Sequence, residues 1–321
     1  MAEKRRKKFW TKRRKERLGS ILAVVLILAI GLLVFRLTDP QGFSRLTGGL
    51  FDGGTADGTE ISGADSSFSV HMIDIGIGDA FLVQCDGHNM LIDAGENNAG
   101  DEVLDYLNRQ GVRKLDAAVG THAHSDHIGG MDTVLRKMPC DRFILSEVSK
   151  QATPTTKTFL DLLDVLEQKK IPVEKAHAGR SFMLGSARVE ILGPVKIYDD
   201  LNNSSVVLRV VYGDTAFLFT GDMESPAEQD LIASGCSLRA DVLKLGHHGS
   251  STATSSRFLK KVGPEYGLIS VNEGNKYGHP HAETMSKLKK AHVKTYLTRD
   301  SGHVVIRSDG KKLTVRTEKE I

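Results

Sequence analysis

The chain has 321 residues, of which 40% are hydrophobic and 26% charged, and a formal net charge of +3. This composition is typical of a chain that folds around a packed core, and it excludes a wholly disordered, collagen-like or disulfide-scaffold protein. The charge is unevenly distributed, because residues 1–17 contain ten Lys or Arg and two Glu, a balance of +8 that leaves −5 for residues 18–321.

An uncharged apolar run, LGSILAVVLILAIGLLVF, occupies residues 18–35. As a helix it spans roughly 27 Å, enough to cross a thin hydrocarbon core. It is longer than the apolar region of a cleavable signal peptide and no A-x-A-like site follows, which favours an uncleaved single-pass anchor in the cell membrane. By the positive-inside rule, residues 1–17 form a cytoplasmic tail and the rest of the chain lies outside the cytoplasm. Later cleavage of the anchor stays open.

Residues 36–66 are rich in Gly, Ser, Thr and Asp and have no apolar period. Such a segment cannot bury enough apolar surface to offset the entropy of ordering it, so we predict a flexible linker. Residues 67–321 then form one folded domain, in which short apolar runs are bounded by turn residues.

Within this domain the apolar runs predict mainly strands, with helices between them. The predicted strands are Ser69–Ile75, Ala80–Cys85, Asn89–Asp93, Leu115–Thr121, Arg188–Leu192, Val206–Tyr212, Ala216–Thr220, Val242–Leu245, Leu268–Val271, Thr295–Leu297 and Val304–Arg307. The predicted helices are Glu102–Gln110, a helix around Phe159–Leu166, Ser225–Ser234 and His281–Ala291. Mostly sequential β-hairpins with interspersed helices predict an α+β fold, two packed sheets covered by helices in a four-layer αββα sandwich.

The segment THAHSDHIGG, residues 121–130, follows an apolar strand and concentrates four metal-ligating side chains. His122 and His124 are two apart and project to the same side, and Asp126 and His127 face a second point. Imidazole nitrogen and carboxylate oxygen are the ligands that Zn²⁺ prefers. A divalent metal site is therefore favoured over a solvated His-rich loop.

His122-x-His124-x-Asp126-His127 resembles the H-x-H-x-D-H signature of the metallo-β-lactamase fold hydrolases. The segment LIDAG, with Asp93, resembles the first motif of that superfamily, in which an Asp supports the metal loop. This resemblance implies the αββα fold and a site for two divalent metal ions, with Zn²⁺ expected and Mn²⁺ as the alternative.

Two later segments fit the remaining ligand motifs of the superfamily. FTGD resembles the fourth motif, whose Asp, here Asp222, bridges both metals. LGHHGS resembles the last motif, in which His247 or His248 completes the second metal. The resemblance thus implies that His122 and His124 hold one metal, and that Asp126 and one His of the pair hold the other.

A narrower resemblance is carried by HMIDIGIGDAFLV, NNSSVVLRVVYGDTAFLFTGD, LKLGHHGSS and ISVNEGNKYGHPH. Together they are similar to the metallo-β-lactamase domain of ComEC-type competence proteins, which join this domain to a polytopic channel for DNA uptake. This sequence contains one predicted transmembrane segment and no channel region. We therefore carry over the domain and its metal-dependent phosphodiesterase chemistry, and not DNA transport.

The sequence departs from the superfamily in the third motif, which normally supplies a His to the first metal. That slot contains Leu201-Asn202-Asn203-Ser204-Ser205. An amide is a much weaker ligand than an imidazole. The first metal is therefore expected to be loosely held, completed by water, or supplied only with substrate.

Further residues are assigned by their position near these motifs. We expect Asp126 and His279 to act in catalysis, His279 as the general acid for the leaving group, with a polar turn as its alternative role. The residues expected to orient ligating histidines are Asp74, Asp79 and Asp93. The residues expected to contact substrate are Asn203, Ser250, Asn275 and Tyr277. For Ser250 the alternative is capping of the following helix.

These features predict a membrane-anchored, extracytoplasmic, metal-dependent hydrolase of phosphodiesters, with DNA or RNA as the favoured substrate. One alternative is a phosphoesterase for cell-envelope phosphodiesters such as phosphocholine esters. The other is a non-catalytic binding domain with a degenerate metal site, which the absent third-motif His suggests. The sequence identifies no protein partner.

Overall fold

A computed structural model describes residues 67–319 of the chain. The predicted cytoplasmic tail, transmembrane anchor and linker lie outside these residues, so the structure does not test them. Between residues 67 and 319, no helix is both long enough and apolar enough to cross a membrane.

The described part of the chain contains fifteen strands and eight short or medium helices. The strands are β1 Phe68–Met72, β2 Phe81–Cys85, β3 His88–Ile92, β4 Ala117–Gly120, β5 Phe143–Leu145, β6 Val173–Lys175, β7 Ser181–Leu184, β8 Ala187–Gly193, β9 Val207–Tyr212, β10 Thr215–Phe219, β11 Val242–Lys244, β12 Tyr266–Ile269, β13 Lys294–Leu297, β14 Val304–Ser308 and β15 Leu313–Thr317. The helices are α1 Gly100–Arg109, α2 Ser125–Ile128, α3 Met131–Lys137, α4 Lys157–Gln168, α5 Ser225–Ala233, α6 Ser256–Val262, α7 Ala282–Lys290 and α8 Thr298–Ser301, and Gly246–Gly249 form a 3₁₀ turn.

The strands form two sheets, each antiparallel in one half and parallel in the other. The first sheet has the order β15-β14-β1-β2-β3-β4-β5-β6 and the second β13-β12-β11-β10-β9-β8-β7. Strands β3 to β6 are parallel neighbours, as are β10 to β13. The expectation of mostly sequential hairpins was therefore wrong for these halves. Parallel neighbours need crossover connections, and the helices of the chain supply them.

Three hydrophobic clusters fill the spaces between neighbouring layers. The central cluster lies between the sheets, where Phe68 and Phe81 of the first sheet meet Phe217 and Phe219 of the second. The second cluster joins the first sheet to α1, α3 and α4, and the third joins the second sheet to α5, α6 and α7. The two packed sheets with helices outside them confirm the predicted α+β sandwich.

The sequence patterns located the long strands to within a few residues but missed β5, β6, β7 and β15. These strands are short or lie at sheet edges, and every side chain of Val173–Lys175 is exposed. An exposed edge strand needs no apolar alternation, so no pattern marks it. Helices α3 and α6, of seven residues each, were also missed.

Candidate metal centre

The metal-ligand candidates lie in a cleft at one edge of the sandwich. The loops after β4, β10, β11 and β12 meet there with the loop between β1 and β2, around a cavity of about 270 Å³. Because the carboxyl ends of neighbouring parallel strands lie at the same edge of a sheet, motifs far apart in sequence converge.

Asp222 lies at the floor of the cleft and is only 2% exposed. Four imidazoles present their Nε2 atoms to its carboxylate, two toward each oxygen. The distances from Oδ1 are 3.3 Å to His127 and 3.6 Å to His248, and those from Oδ2 are 3.9 Å to His122 and 3.7 Å to His247.

Several polar atoms in this cluster are buried without a hydrogen-bond partner. They include Nε2 of His127, Nε2 of His248, Oδ1 of Asp222 and Oδ1 of Asp79. Each such atom costs about 1–3 kcal/mol, so their concentration at one point requires an explanation. Ligand atoms of Asp126, His127, Asp222 and His248 all lie within 4.8 Å of one another. A mixed nitrogen and oxygen donor set of this kind fits a divalent cation such as Zn²⁺.

The charges in this cluster compensate one another. Burial alone would lower the pKa of His127, but the carboxylates of Asp222 and Asp93 raise it well above the usual value. Burial would likewise raise the pKa of Asp222, but His127 and His248 hold it well below its usual range. The carboxylates thus favour a proton on His127, and a cation bound to this ring would have to displace it.

Asp93 is hydrogen-bonded to His127, one of the histidines that it is expected to orient. Its Oδ2 accepts hydrogen bonds from Nδ1 of His127 at 2.8 Å and from the hydroxyl of Thr121 at 2.7 Å, and its Oδ1 accepts one from the Thr121 backbone N–H. The backbone of Asp93 is left-handed, with φ of 58°. A non-glycine residue is held in that region only where its surroundings compensate the strain.

Asp79 lies between two of the candidate ligands and is paired with a buried lysine. Its carboxylate is 3.9 Å from Nδ1 of His127 and 3.6 Å from Nδ1 of His248. Nζ of Lys244 is 2.7 Å from Oδ2 of Asp79 and also donates to the carbonyl of Leu245. Lys244 thus places a buried cation against the Asp79 carboxylate beneath the site without occupying the cleft.

The two adjacent histidines of the last motif point to different parts of the cluster. Nδ1 of His248 is 3.0 Å from the carbonyl of Ser270, and Nδ1 of His247 is 3.1 Å from Oε1 of Glu224. Both residues are left-handed, with φ of 50° and 48°. Consecutive left-handed residues turn the chain sharply, so the two rings diverge.

His122 and His124 form a close pair. Nε2 of His122 is 2.9 Å from Nδ1 of His124, and Nδ1 of His122 lies 3.2 Å from the Thr121 hydroxyl and 3.4 Å from that of Ser205. His122 is buried whereas His124 is exposed at the cleft. Nε2 of His122 and Nδ1 of His124 therefore lie close enough to face one common point, as their spacing in the sequence predicts.

Asn203, in the slot of the third motif, does not face the cleft ligands. Its amide N–H groups donate to the carboxylate of Asp200, and its Oδ1 accepts from the backbone N–H of Ala227 in α5. All of its hydrogen-bonding groups are therefore occupied within the fold. The expected contact of Asn203 with substrate is not supported by its position.

Two other expected site residues also have structural partners. The hydroxyl of Ser250 is 2.9 Å from that of Thr252, and Ser255 rather than Ser250 caps the helix that follows. The carboxylate of Asp74 accepts the backbone N–H of Gly76 within its own turn. Neither contact involves a candidate ligand, and the Asp74 carboxylate also lies 3.9 Å from Nζ of Lys319.

The NKYGHPH loop forms one wall of the cleft. The amide of Asn275 bonds both the N–H and the carbonyl of His279, so it shapes the loop, and Tyr277 stacks on the His279 ring at 24°. Burial and then the neighbouring His247 and His248 lower the pKa of His279 to about 4. The imidazole is therefore neutral at pH 7, which disfavours the expected role as a cationic general acid.

Three positioning residues, Glu224, Glu228 and Lys244, were missed by the sequence reasoning. Glu228 is a buried acid that accepts the N–H groups of Thr254 and Ser255 and so holds the loop after the His pair. Lys244 carried a signal, since it is the single charge in the apolar strand that precedes LGHHGS. Glu224 caps α5 and Glu228 lies within it, and no sequence pattern distinguished either of them.

Comparison with known proteins agrees with this geometry. Residues 73–271 match the family model described as the metallo-beta-lactamase superfamily. The chain is 28% identical over 261 residues to ComE operon protein 3 of Bacillus subtilis, covering 75% of this chain and 33% of that protein. It is 31% identical over 255 residues to competence protein ComA of Neisseria gonorrhoeae, covering 74% of this chain and 32% of that protein. The chain thus spans about a third of the length of these curated relatives.

A solved structure supports the fold. CmlA, a diiron β-hydroxylase from Streptomyces venezuelae, superimposes with a TM-score of 0.51 at 12% identity, covering 77% of this chain and 55% of that one. The predicted resemblance is confirmed: with a family match over residues 73–271, the chain belongs to the metallo-beta-lactamase superfamily and is a metallohydrolase related to competence proteins.

Proposed function

We propose that this chain is a metal-dependent phosphodiesterase that residues 18–35 anchor in the cell membrane and that acts outside the cytoplasm. The observation that carries the catalytic part is the set of unpartnered buried atoms on His127, His248 and Asp222 at the floor of an open cleft. When bound there, two divalent cations would supply Lewis acidity toward phosphoryl oxygens and would acidify water. Zn²⁺ suits the donor set, with Mn²⁺ as the alternative.

The side chains of the cleft have separate roles in the proposed reaction. Asp126 is partly exposed in the cleft, where its carboxylate accepts a hydrogen bond from the attacking water and orients it. His279, neutral at pH 7, donates an N–H to a phosphoryl or leaving-group oxygen rather than delivering a proton from an imidazolium. Asp93 holds the ring of His127 in place through a hydrogen bond, and the Ser270 carbonyl does the same for His248.

The cleft walls favour a nucleic acid among phosphodiesters. Tyr277 is 59% exposed beside His279, and Nζ of Lys276 lies 5.0 Å from its ring. An exposed aromatic face stacks on nucleobases, and an adjacent cation pairs with the phosphate backbone. The names of the relatives refer to competence and, for a further relative from Haemophilus influenzae, to recombination, which also favours DNA. DNA or RNA is therefore the proposed substrate class.

The catalytic proposal is tested by a substrate panel on the purified full-length chain with Zn²⁺ or Mn²⁺. The panel comprises an aryl phosphodiester, single-stranded DNA, duplex DNA, RNA and a phosphocholine ester. We expect hydrolysis of the aryl phosphodiester and of at least one nucleic acid, and its loss in Asp222→Asn. Hydrolysis of the phosphocholine ester alone would identify a cell-envelope phosphoesterase instead. Metal binding without any hydrolysis would identify a binding domain.

The membrane location rests on the basic tail and the apolar run after it, and it is tested separately. A C-terminal reporter that is active only outside the cytoplasm should be active when fused to the full chain. Replacing the ten Lys and Arg of residues 1–17 with Gln should reduce that activity, since these charges set the orientation. If that reporter were inactive, and one that is active only in the cytoplasm were active in the same position, the proposal would be contradicted.

A further inference from the structure

The His-His pair of the last motif is divided between the two oxygens of Asp222. His248 shares Oδ1 with His127, at 3.6 and 3.3 Å. His247 shares Oδ2 with His122, at 3.7 and 3.9 Å. Nε2 of His248 also lies 3.5 Å from Asp126, which places His248 with the second group of candidate ligands. His247 makes no such approach to Asp126 and is linked to His122 through their shared approach to Oδ2 of Asp222.

Three of these imidazoles are held through their Nδ1 atoms, as metal-ligating histidines are. Nδ1 of His127 bonds Asp93, and Nδ1 of His248 bonds the Ser270 carbonyl. Nδ1 of His247 bonds Glu224. An N–H on Nδ1 leaves the lone pair on Nε2, which in His247 faces Asp222.

Glu224 is itself fixed, so the orientation of His247 is built into the fold. Its Oε1 accepts the hydroxyl of Thr252 at 2.7 Å, and Glu224 precedes the first turn of α5. A chain of Thr252, Glu224 and His247 therefore aims one imidazole at Oδ2 of Asp222. A histidine in a solvated turn would need no such support.

The slot in which the superfamily has its third-motif histidine offers no comparable ligand. Asn203 is fully engaged by Asp200 and Ala227. Asn202 is the alternative ligand from this slot, because its Oδ1 is buried without a hydrogen-bond partner. An amide oxygen is a weak ligand for a borderline cation, whereas an imidazole is a strong one.

We propose that His247 replaces the absent third-motif histidine. On this assignment His122, His124, His247 and Oδ2 of Asp222 belong to one cation. His127, His248 and Oδ1 of Asp222 belong to the other together with Asp126. Glu224 is the positioning residue of His247. This inference rests on the proposed metal-dependent function, and it makes the last motif serve both cations.

The test measures bound Zn²⁺ per chain by elemental analysis of the full-length protein after equilibrium dialysis. Histidines are changed to Asn, because Asn tolerates the positive φ of His247 and His248. We expect two ions in the wild type and one in either His247→Asn or His248→Asn. The pair His122→Asn with His247→Asn should still bind one ion, because both changes remove the same site. The pair His247→Asn with His248→Asn should bind none.

Three further variants control the interpretation. His177→Asn, at an exposed imidazole, and Asn202→Ala should each retain two ions. Glu224→Gln should weaken one of the two binding events roughly 10–100-fold without removing it, since the ring keeps its ligand atom but loses a charged partner. Circular dichroism checks that every variant has the fold of the wild type.

The opposite pattern would overturn the inference. If His247 belonged with His248, the His247–His248 double variant would retain one ion and the His122–His247 variant would lose both. Loss of one ion in Asn202→Ala with two retained in His247→Asn would assign the site to Asn202. Either result leaves phosphodiester hydrolysis by the wild type intact, whereas a wild type that binds no ion and hydrolyses nothing would overturn this inference and the proposed function together.

Discussion

The part of the chain that the structure describes contains two buried histidine clusters that differ in how completely their polar atoms are hydrogen-bonded. In the first, which we call the His71 cluster (Ser69, His71 and Tyr106), both ring nitrogens of His71 have partners at 2.9 Å, the Tyr106 and Ser69 hydroxyls. In the second, the Asp222 cluster (Asp126, His127, Asp222 and His248), two Nε2 atoms and one carboxylate oxygen have none. Burial of histidine therefore does not mark a site by itself. What marks a candidate site is a group of buried polar atoms that lack hydrogen-bond partners and point toward one another.

The two clusters also differ in charge. Burial, followed by Arg307 and His303, lowers the pKa of His71 to about 3, so this ring is neutral in the folded protein. The Asp222 cluster instead contains carboxylates that raise the pKa of His127 despite its burial. A neutral, fully bonded cluster serves the fold, whereas a charged, incompletely bonded one is ready to exchange a proton for a cation.

The largest effect should come from removing the shared carboxylate of the Asp222 cluster. Asp222→Asn should lower kcat/KM for an aryl phosphodiester by at least ~10³-fold, because the cations contribute several kcal/mol to transition-state stabilisation. Tyr106→Phe, in the other cluster, should change kcat/KM less than about twofold. Steady-state kinetics measures both, and an Asp222→Asn enzyme that keeps more than a tenth of the activity would remove the distinction between the clusters.

Acid should destabilise the fold through the His71 cluster. The pKa of His71 is about 3 when folded and 6.5 when unfolded, so below pH 6.5 the unfolded chain binds a proton that the folded chain does not. Stability is therefore lost as the pH falls from 6.5 toward 3. Relative to His71→Gln, which does not titrate, the wild type should lose about 3 kcal/mol between pH 6.5 and pH 4. Urea unfolding in EDTA measures this difference, and a pH-independent difference would contradict it.

Metal should stabilise the fold only through the Asp222 cluster. For each ion bound, free Zn²⁺ at 100 times the Kd of its site should add about 2.7 kcal/mol to the free energy of unfolding of the wild type, by mass action. Tyr106→Phe should gain the same increment, and Asp222→Asn should lose most of it. Unfolding with Zn²⁺ and with EDTA measures the increment. An equal increment in Asp222→Asn would mean that the metal binds elsewhere.

The smallest effect should come from giving the His71 cluster one unpartnered atom. Tyr106→Phe keeps the ring but removes the hydroxyl that bonds Nδ1 of His71, at a cost of about 2 kcal/mol in stability. Chemical denaturation measures the loss, with Tyr277→Phe, at an exposed ring, as the matched control expected to be near neutral. Equal stability of Tyr106→Phe and the wild type would show that His71 needs no second partner.

The candidate ligands could be named from the sequence because short motifs carry them. His122, Asp126 and His127 lie within one loop, and Asp222 follows a clear strand pattern. Glu224 and Glu228 could not be named, since a glutamate beside a helix start usually faces solvent. Only packing against the loop of the His pair buries Glu228 and turns Glu224 toward His247.

The fold was predictable where the apolar pattern is strong. Strands β1, β2 and β3 pair in sequence as antiparallel hairpins, as predicted. The parallel halves were not predicted, because an apolar run has the same appearance in either strand direction. The direction depends on which helix makes the crossover, and that is decided by packing between layers.

The sequence by itself determined the superfamily, the chemical types of the ligands and the contrast between a basic, apolar N-terminal segment and an acidic domain. It left His247 and His248 equivalent and suggested roles for Asn203, Ser250 and Asp74 that their positions do not support. Only the tertiary structure separated the two histidines, because their left-handed backbone sends the rings to different oxygens of Asp222. Residue types are local properties of a chain, whereas an unpartnered atom exists only once distant segments have packed around it.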